Sequence, residues 1–243
     1  MDPGADQFPV WTPDGRRIIY SSQREGLISQ LYWQTPDGSG GVERLVQTAP
    51  SPFGQYPHSI APDGNQLVFG QGGDLFVLTL GGERRITPLV HTNFNEQNGE
   101  ISPDGRWLAY QSSESGRSEI YVRPFPKVDS GRWQVSTDGG TRPLWSRDSR
   151  ELFFVTDGRR LMSVAVGGTE SVFTSSAPQL LSEVRSQLFL TGAGTFAGRT
   201  YDISADGRRF LLMKPSSSTD AAPAVTQFVV ILNWFEELNR LVP

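Results

Sequence analysis

The chain has 243 residues, a formal net charge of −4 and no cysteine. That length suits one large domain with a full core. The missing cysteine excludes disulfides, cysteine nucleophiles and thiolate metal sites, and the weakly acidic balance provides no field to gather nucleic acid or acidic membranes.

Taken in order, Pro9-Val10-Trp11 is expected to be an inner strand, followed by a turn at Thr12-Pro13-Asp14-Gly15 and a strand at Arg17–Ser21. Leu31–Gln34 and Glu43–Gln47 complete a first four-stranded unit. The second repeats it with Pro57–Ile60, Gln66–Phe69, Asp74–Leu78 and Arg84–Thr87. The third has Gly99–Ile101, Trp107–Tyr110, Glu119–Arg123 and Arg132–Ser136. The fourth has Pro143–Trp145, Leu152–Val155, Leu161–Val164 and Pro178–Leu181. After a polar, glycine-bearing stretch, the fifth has Tyr201–Ile203, Phe210–Met213 and Thr226–Ile231. The expected units are 7–50, 51–92, 93–138, 139–185 and 196–232. In 233–241, Trp234, Leu238 and Leu241 fall at helical spacing behind a capping Asn233, predicting a short C-terminal helix.

One motif recurs in all five units. Its clearest copy is Ile101-Ser102-Pro103-Asp104-Gly105-Arg106-Trp107-Leu108-Ala109-Tyr110. Proline presets φ at the second turn position, aspartate bonds nearby backbone N–H groups, and glycine takes a positive φ. The aspartates Asp14, Asp63, Asp104, Asp148 and Asp206 are 49, 41, 44 and 58 residues apart. A period of about 40–50 residues is that of a four-stranded propeller blade. Their expected role is structural, as turn caps. After each aspartate, positions four and six are apolar and so is position five, as in Leu108, Tyr110 and Ala109. A strand apolar on both faces is covered on both, which blades stacked around an axis achieve. The expected fold is an all-β propeller with five sequence-visible blades and a terminal helix.

The repeated motif resembles the WD40-like repeat of TolB-type bacterial β-propellers, over nearly the whole chain. Asp148-Ser149 departs from it by lacking the glycine, and Ala205-Asp206 by lacking the proline. Three stretches, Glu119–Pro126, Pro143–Asp148 and Leu232–Leu238, are similar to the propeller found downstream of kinase or winged-helix DNA-binding domains in bacteria. The resemblance implies a longer parent chain carrying such a domain, rings that usually have six or more blades, and an extracytoplasmic, periplasmic setting. Within the chain there is no kinase motif. Met1–Asp6 has neither a basic segment nor an apolar core, so no signal peptide is expected there. No apolar run approaches the ~18 residues of a spanning helix.

The segments leading into the inner strands, at 52–56, 93–98 and 138–142, are expected to be loops that converge on one channel mouth. They mix polar and aromatic groups suited to a peptide, protein or small polar ligand. The candidate binding residues are Gln55, Tyr56, His58, Glu96, Gln97 and Arg142. His58 and Ser59 are adjacent on a strand and point to opposite faces, which argues against a nucleophile pair. His91 is expected to be a solvated loop residue, and the tryptophans are expected to be core. No metal-ligand spacing and no cofactor motif occur. The expectation is a non-enzymatic sensor or interaction module. The alternatives are a propeller-based hydrolase or lyase with an acid–base site at the mouth, and a scaffold.

Overall fold

A computed structural model describes residues 5–46, 51–156, 160–169, 172–183, 198–204, 206–214 and 227–230. Their regular structure is almost entirely antiparallel sheet. The first sheet holds β1 (Asp6–Trp11), β2 (Ile18–Ser22), β3 (Gln30–Gln34) and β4 (Glu43–Arg44), in that order. The second holds β5 (Gln55–Ile60), β6 (Gln66–Gln71), β7 (Asp74–Thr79) and β8 (Ile86–Val90). The third holds β9 (Glu96–Ile101), β10 (Trp107–Ser112), β11 (Glu119–Pro124) and β12 (Trp133–Gln134). The fourth is built from β13 (Thr141–Trp145), β14 (Glu151–Thr156), β15 (Arg160–Gly168), β16 (Phe173–Ser175) and β17 (Gln179–Glu183). Here β15 pairs with β14, β16 and β17. The described part of the fifth holds β18 (Tyr201–Ile203), β19 (Phe210–Lys214) and β20 (Gln227–Val230). No helix among the described residues is long and apolar enough to cross a membrane.

The two-sided apolar pattern becomes four seams. Leu67 and Phe69 pack back on Ile19 and Leu31 of the first sheet, while Val68 packs forward with Leu108 and Tyr110 of the third. Trp107 and Ala109 pack forward with Leu152 and Phe154, and Phe153 and Val155 pack forward with Phe210 and Leu212. Alternation along each second strand thus sends successive side chains to opposite neighbours. Each fully buried leucine, isoleucine, valine or phenylalanine among them stabilises the stack by about 1.5–3 kcal/mol. Leu211 faces forward from β19 and is 39% exposed.

The motif turns are tied as their chemistry requires. Ser102 Oγ donates to Asp104 Oδ1 at 2.6 Å, the Arg106 amide donates to the same oxygen at 3.1 Å, and the Trp107 amide donates to Ser102 Oγ at 3.0 Å. Thr12–Asp14 and Ser146–Asp148 repeat the hydroxyl–carboxylate bond at 2.6 Å, and Ser204–Asp206 repeats it too. In the second unit Ala61 has no hydroxyl, and Asn65 supplies both its amide and its side-chain N–H to Asp63. Gly105 sits at φ +73°. Ser149, in the place of a glycine, takes the same left-handed conformation at φ +61°.

Several expectations need correcting. The inner strands begin earlier than their apolar runs. Gln55, Tyr56, Glu96, Gln97 and Arg142 therefore lie in strands, not loops. The reason is a bulge in each of β1, β5, β9 and β13, between Gln7/Val10, Pro57/Ser59, opposite Ala109/Gln111 and between Thr141/Leu144. Phe8, Asn98 and Arg142 take positive φ at these bulges, and glycine or proline beside them resembles a strand end. The outer strand β4 has two residues where five were expected. β8 starts at Ile86 instead of Arg84, and β16 had no apolar run to announce it. Trp11 is 55% exposed and so is not core. The predicted helix at 233–241 lies outside the described residues.

Candidate functional site

The inner strands β1, β5, β9 and β13 neighbour one another around the axis. Their bulges aim side chains and backbone groups at that axis. The Phe8 and Tyr56 rings meet edge to face at 5.5 Å, and Gly198 lies so close to Phe8 that an added Cβ would come within 2.6 Å of the ring. Arg199, entering β18, reaches Glu100 of β9 at 2.7 Å. Residues from the first, second, third and fifth units therefore meet near the centre.

A shallow cleft, open to solvent and with enclosed room of about 10 Å³, little more than one water molecule, lies where the starts of β5 and β9 face the β6–β7 hairpin. Tyr56, His58, Asp74, Glu96, Gln97 and Asn98 supply its polar wall, with Gln71 and glycines completing it. The hairpin closes through Gly72 and Gly73, both at positive φ, and so folds Asp74 back beside Gln71.

Each polar group is held differently. Glu96 is 1% exposed. Its Oε1 accepts from Thr92 Oγ1 at 2.5 Å and Ser112 Oγ at 3.4 Å, while its Oε2 has no partner among the described residues. Burial raises this carboxyl; the Thr92 bond opposes the shift and the nearby Asp74 charge reinforces it. Asp74 Oδ2 lies 2.8 Å from His91 Nδ1, and the His91 side chain is 65% exposed, as expected of a solvated loop residue. His58 Nδ1 accepts the Gly99 amide N–H at 3.2 Å, and burial pulls its imidazole down to about 4. Near neutral pH the ring is therefore uncharged, with its proton on Nε2. Gln97 Oε1 is 3.5 Å from Gln111 Nε2, and Asn98 Nδ2 donates to Gln111 Oε1 at 2.8 Å.

Of the six candidate binding residues, the structure brings Tyr56, His58, Glu96 and Gln97 to one cleft. Gln55 is fully buried elsewhere, stitching the first two sheets through its backbone to Ser21 and Ser29. Arg142 brackets the fourth and fifth units. Its Nε donates to the Gly198 carbonyl at 3.3 Å, and its own carbonyl accepts from Tyr201 Oη at 2.7 Å. Sequence reasoning missed Asp74, for which the Gly-Gly hairpin was the available signal. Ser59 is used up structurally, donating to the Gly99 carbonyl and accepting from the Ile101 amide. Among the described residues, no three histidine or acidic side chains are grouped to share a metal ion.

Stacked antiparallel sheets with their first strands on a common axis define a β-propeller, here of the TolB-like and WD40-like kind. TolB from Acinetobacter baumannii superposes with a TM-score of 0.65 at 16% identity, over 95% of this chain and 52% of that one. A periplasmic gluconolactonase of Pseudomonas aeruginosa superposes at 0.55 and 17% identity, over 91% and 71%. In sequence, an uncharacterized protein of Agrobacterium fabrum is 28% identical over 137 residues, 54% of this chain and 40% of its own. Dipeptidyl aminopeptidase BI of Pseudoxanthomonas mexicana is 32% identical over 104 residues, 42% of this chain and 14% of its own. The chain thus spans less than half of either curated relative and about half of that TolB. No protein-family model matches it. Because propellers with and without catalytic activity share this architecture, fold alone does not decide between binding and catalysis.

Proposed function

We propose that this chain is a non-enzymatic binding module that takes a peptide, a protein segment or a small polar ligand in the cleft between β5 and β9. In a longer parent chain such a module serves as the sensor or interaction part of a signalling protein. The observation that carries this reading is the convergence of Tyr56, His58, Asp74, Glu96, Gln97 and Asn98 on one cleft, with a buried carboxylate oxygen left open. A concave site with a few convergent polar groups is where ligands bind. Against catalysis, Ser59 spends its hydroxyl on backbone and His58 spends Nδ1 on Gly99, so no base is poised beside a nucleophile. The test is a thermal-shift screen of amino acids, short peptides and sugars, with hits located by amide NMR. Shifts at Gly70 and Gly73 support the reading, and hits that all bind elsewhere overturn it.

A hydrolase or lyase is the second reading. It is favoured by the raised Glu96 carboxyl in a cleft and by the gluconolactonase and aminopeptidase among the similar proteins. Turnover of a lactone or peptide that Glu96→Gln abolishes establishes it.

A further inference from the structure

We propose that the cleft between β5 and β9 recognises a primary ammonium group carrying a carbonyl on the neighbouring carbon, as at the amino terminus of a peptide or in an amino-acid amide. This rests on the reading of the cleft as a binding site and names the chemistry it selects.

The first ground is Glu96. It lines the cleft, it is 1% exposed, and Oε2 is unpartnered while both neighbouring hydroxyls are spent on Oε1. A buried acceptor left open is costly, and a donor from a ligand removes that cost. Asp74 lines the same cleft and adds a second acidic group. Two carboxyl groups in one partly desolvated site favour a cation and repel phosphate, sulfate or a carboxylate. Asp74 already has His91 at 2.8 Å, so a neutral sugar satisfies hydrogen bonds but leaves Glu96 without a cationic partner.

The second ground is His58, whose geometry is independent of the acids. Its Nδ1 receives the Gly99 N–H, which leaves Nε2–H as the donor. A Cβ on Gly70 would stand 3.2 Å from Nε2 and 2.9 Å from Cε1, so only glycine leaves this edge of the ring clear beside the cleft. The site therefore offers acceptors for an ammonium and one donor for a carbonyl. An α-amino carbonyl compound supplies that complement from adjacent atoms, whereas a simple amine leaves the His58 donor unused.

The test uses the full chain and three probes: glycinamide, N-acetylglycinamide and triglycine amide, titrated by calorimetry and by the Gly70 and Gly73 amide resonances. Glycinamide is expected to bind and to shift both resonances. Acetylation removes the ammonium and is expected to weaken binding by about tenfold or more, as for loss of a charge-assisted bond. Glu96→Gln is expected to have a similar effect on glycinamide, and Asp74→Asn, which keeps Glu96 intact, a smaller one. Tighter binding of triglycine amide than glycinamide marks a peptide as the source, and equal affinity marks a small amino compound. Equal binding of the acetylated and free probes, or glycinamide affinity unchanged in both variants, overturns the ammonium assignment. If acetate or glycerol shifts Gly70 and Gly73 and glycinamide does not, this proposal falls while the binding cleft stands. If no probe shifts them, both fall.

Discussion

The Gly99 amide N–H donates to His58 Nδ1 at 3.2 Å, joining the third sheet to the bulge of the second and leaving the other edge of the imidazole beside the cleft. Cohesion between blades and presentation of a ligand-facing donor thus depend on one ring in its neutral form. The His58 value is lowered from about 6.5 in an unfolded chain to about 4 in the fold. A depressed value contributes stability above the unfolded value, and that contribution is lost as pH falls toward the folded one. The melting temperature of the native chain is therefore expected to drop between pH 6.5 and 4. His58→Gln is expected to flatten that part of the profile, and an unchanged slope in the variant counts against this account.

Glu96 behaves in the opposite sense. Burial raises it, so its contribution is present below the ordinary glutamate value of about 4.3 and is lost as pH rises through the folded value. Glu96→Gln removes the buried charge. The difference in melting temperature, variant minus native, is expected to grow more positive from about pH 4 upward. A difference independent of pH is evidence against a perturbed Glu96.

Gly99 is required by space, not by turn geometry. A Cβ there would stand 2.8 Å from Val68 Cγ1 and 3.2 Å from Leu75 Cδ1, on side chains fixed in the seam between the second and third sheets. Gly99→Ala is expected to destabilise by about 1–3 kcal/mol, the usual cost of overpacking. Urea denaturation measures it, and a neutral result shows that the seam yields.

Arg199 and Glu100 form an ion pair across the axis between sequence positions 99 apart, with side chains 33% and 18% exposed. A double-mutant cycle with Arg199→Gln and Glu100→Gln is expected to give a coupling on the order of 1 kcal/mol, above the median for fully exposed pairs but below that of a dry one. Additive single effects would show that the pair does not hold the fifth unit to the third.

The turn caps are local. Asp104→Ala is expected to cost about 1 kcal/mol, as for other side-chain caps, and Asp104→Asn less. Asp14, Asp148 and Asp206 are each lowered chiefly by the hydroxyl bond from Thr12, Ser146 and Ser204. Their contribution is intact above the unfolded aspartate value near ~3.9 and is lost as pH falls below it. Replacing Thr12, Ser146 and Ser204 by alanine should therefore reduce the acid sensitivity of unfolding below about pH 4.

Turn chemistry and strand alternation are properties of residues two to six apart, so the chain itself carried them. The five turn aspartates, the paired strands around them and the two apolar faces of each second strand were readable, and so was the polar character of Tyr56, His58, Glu96 and Gln97. What lies in front of a side chain is another matter, because it depends on which sheet packs there. Gln55 and Glu96 both sit eight positions before their turn aspartates. Around Gln55 the first sheet closes in through Ser21 and Ser29, whereas Glu96 faces a hairpin that two glycines fold back to deliver Asp74. Local sequence therefore determined the repeat and the direction of its side chains. Only the stacking of sheets decided which equivalent position became core and which became a cleft, since burial and charge there come from residues far away in the chain.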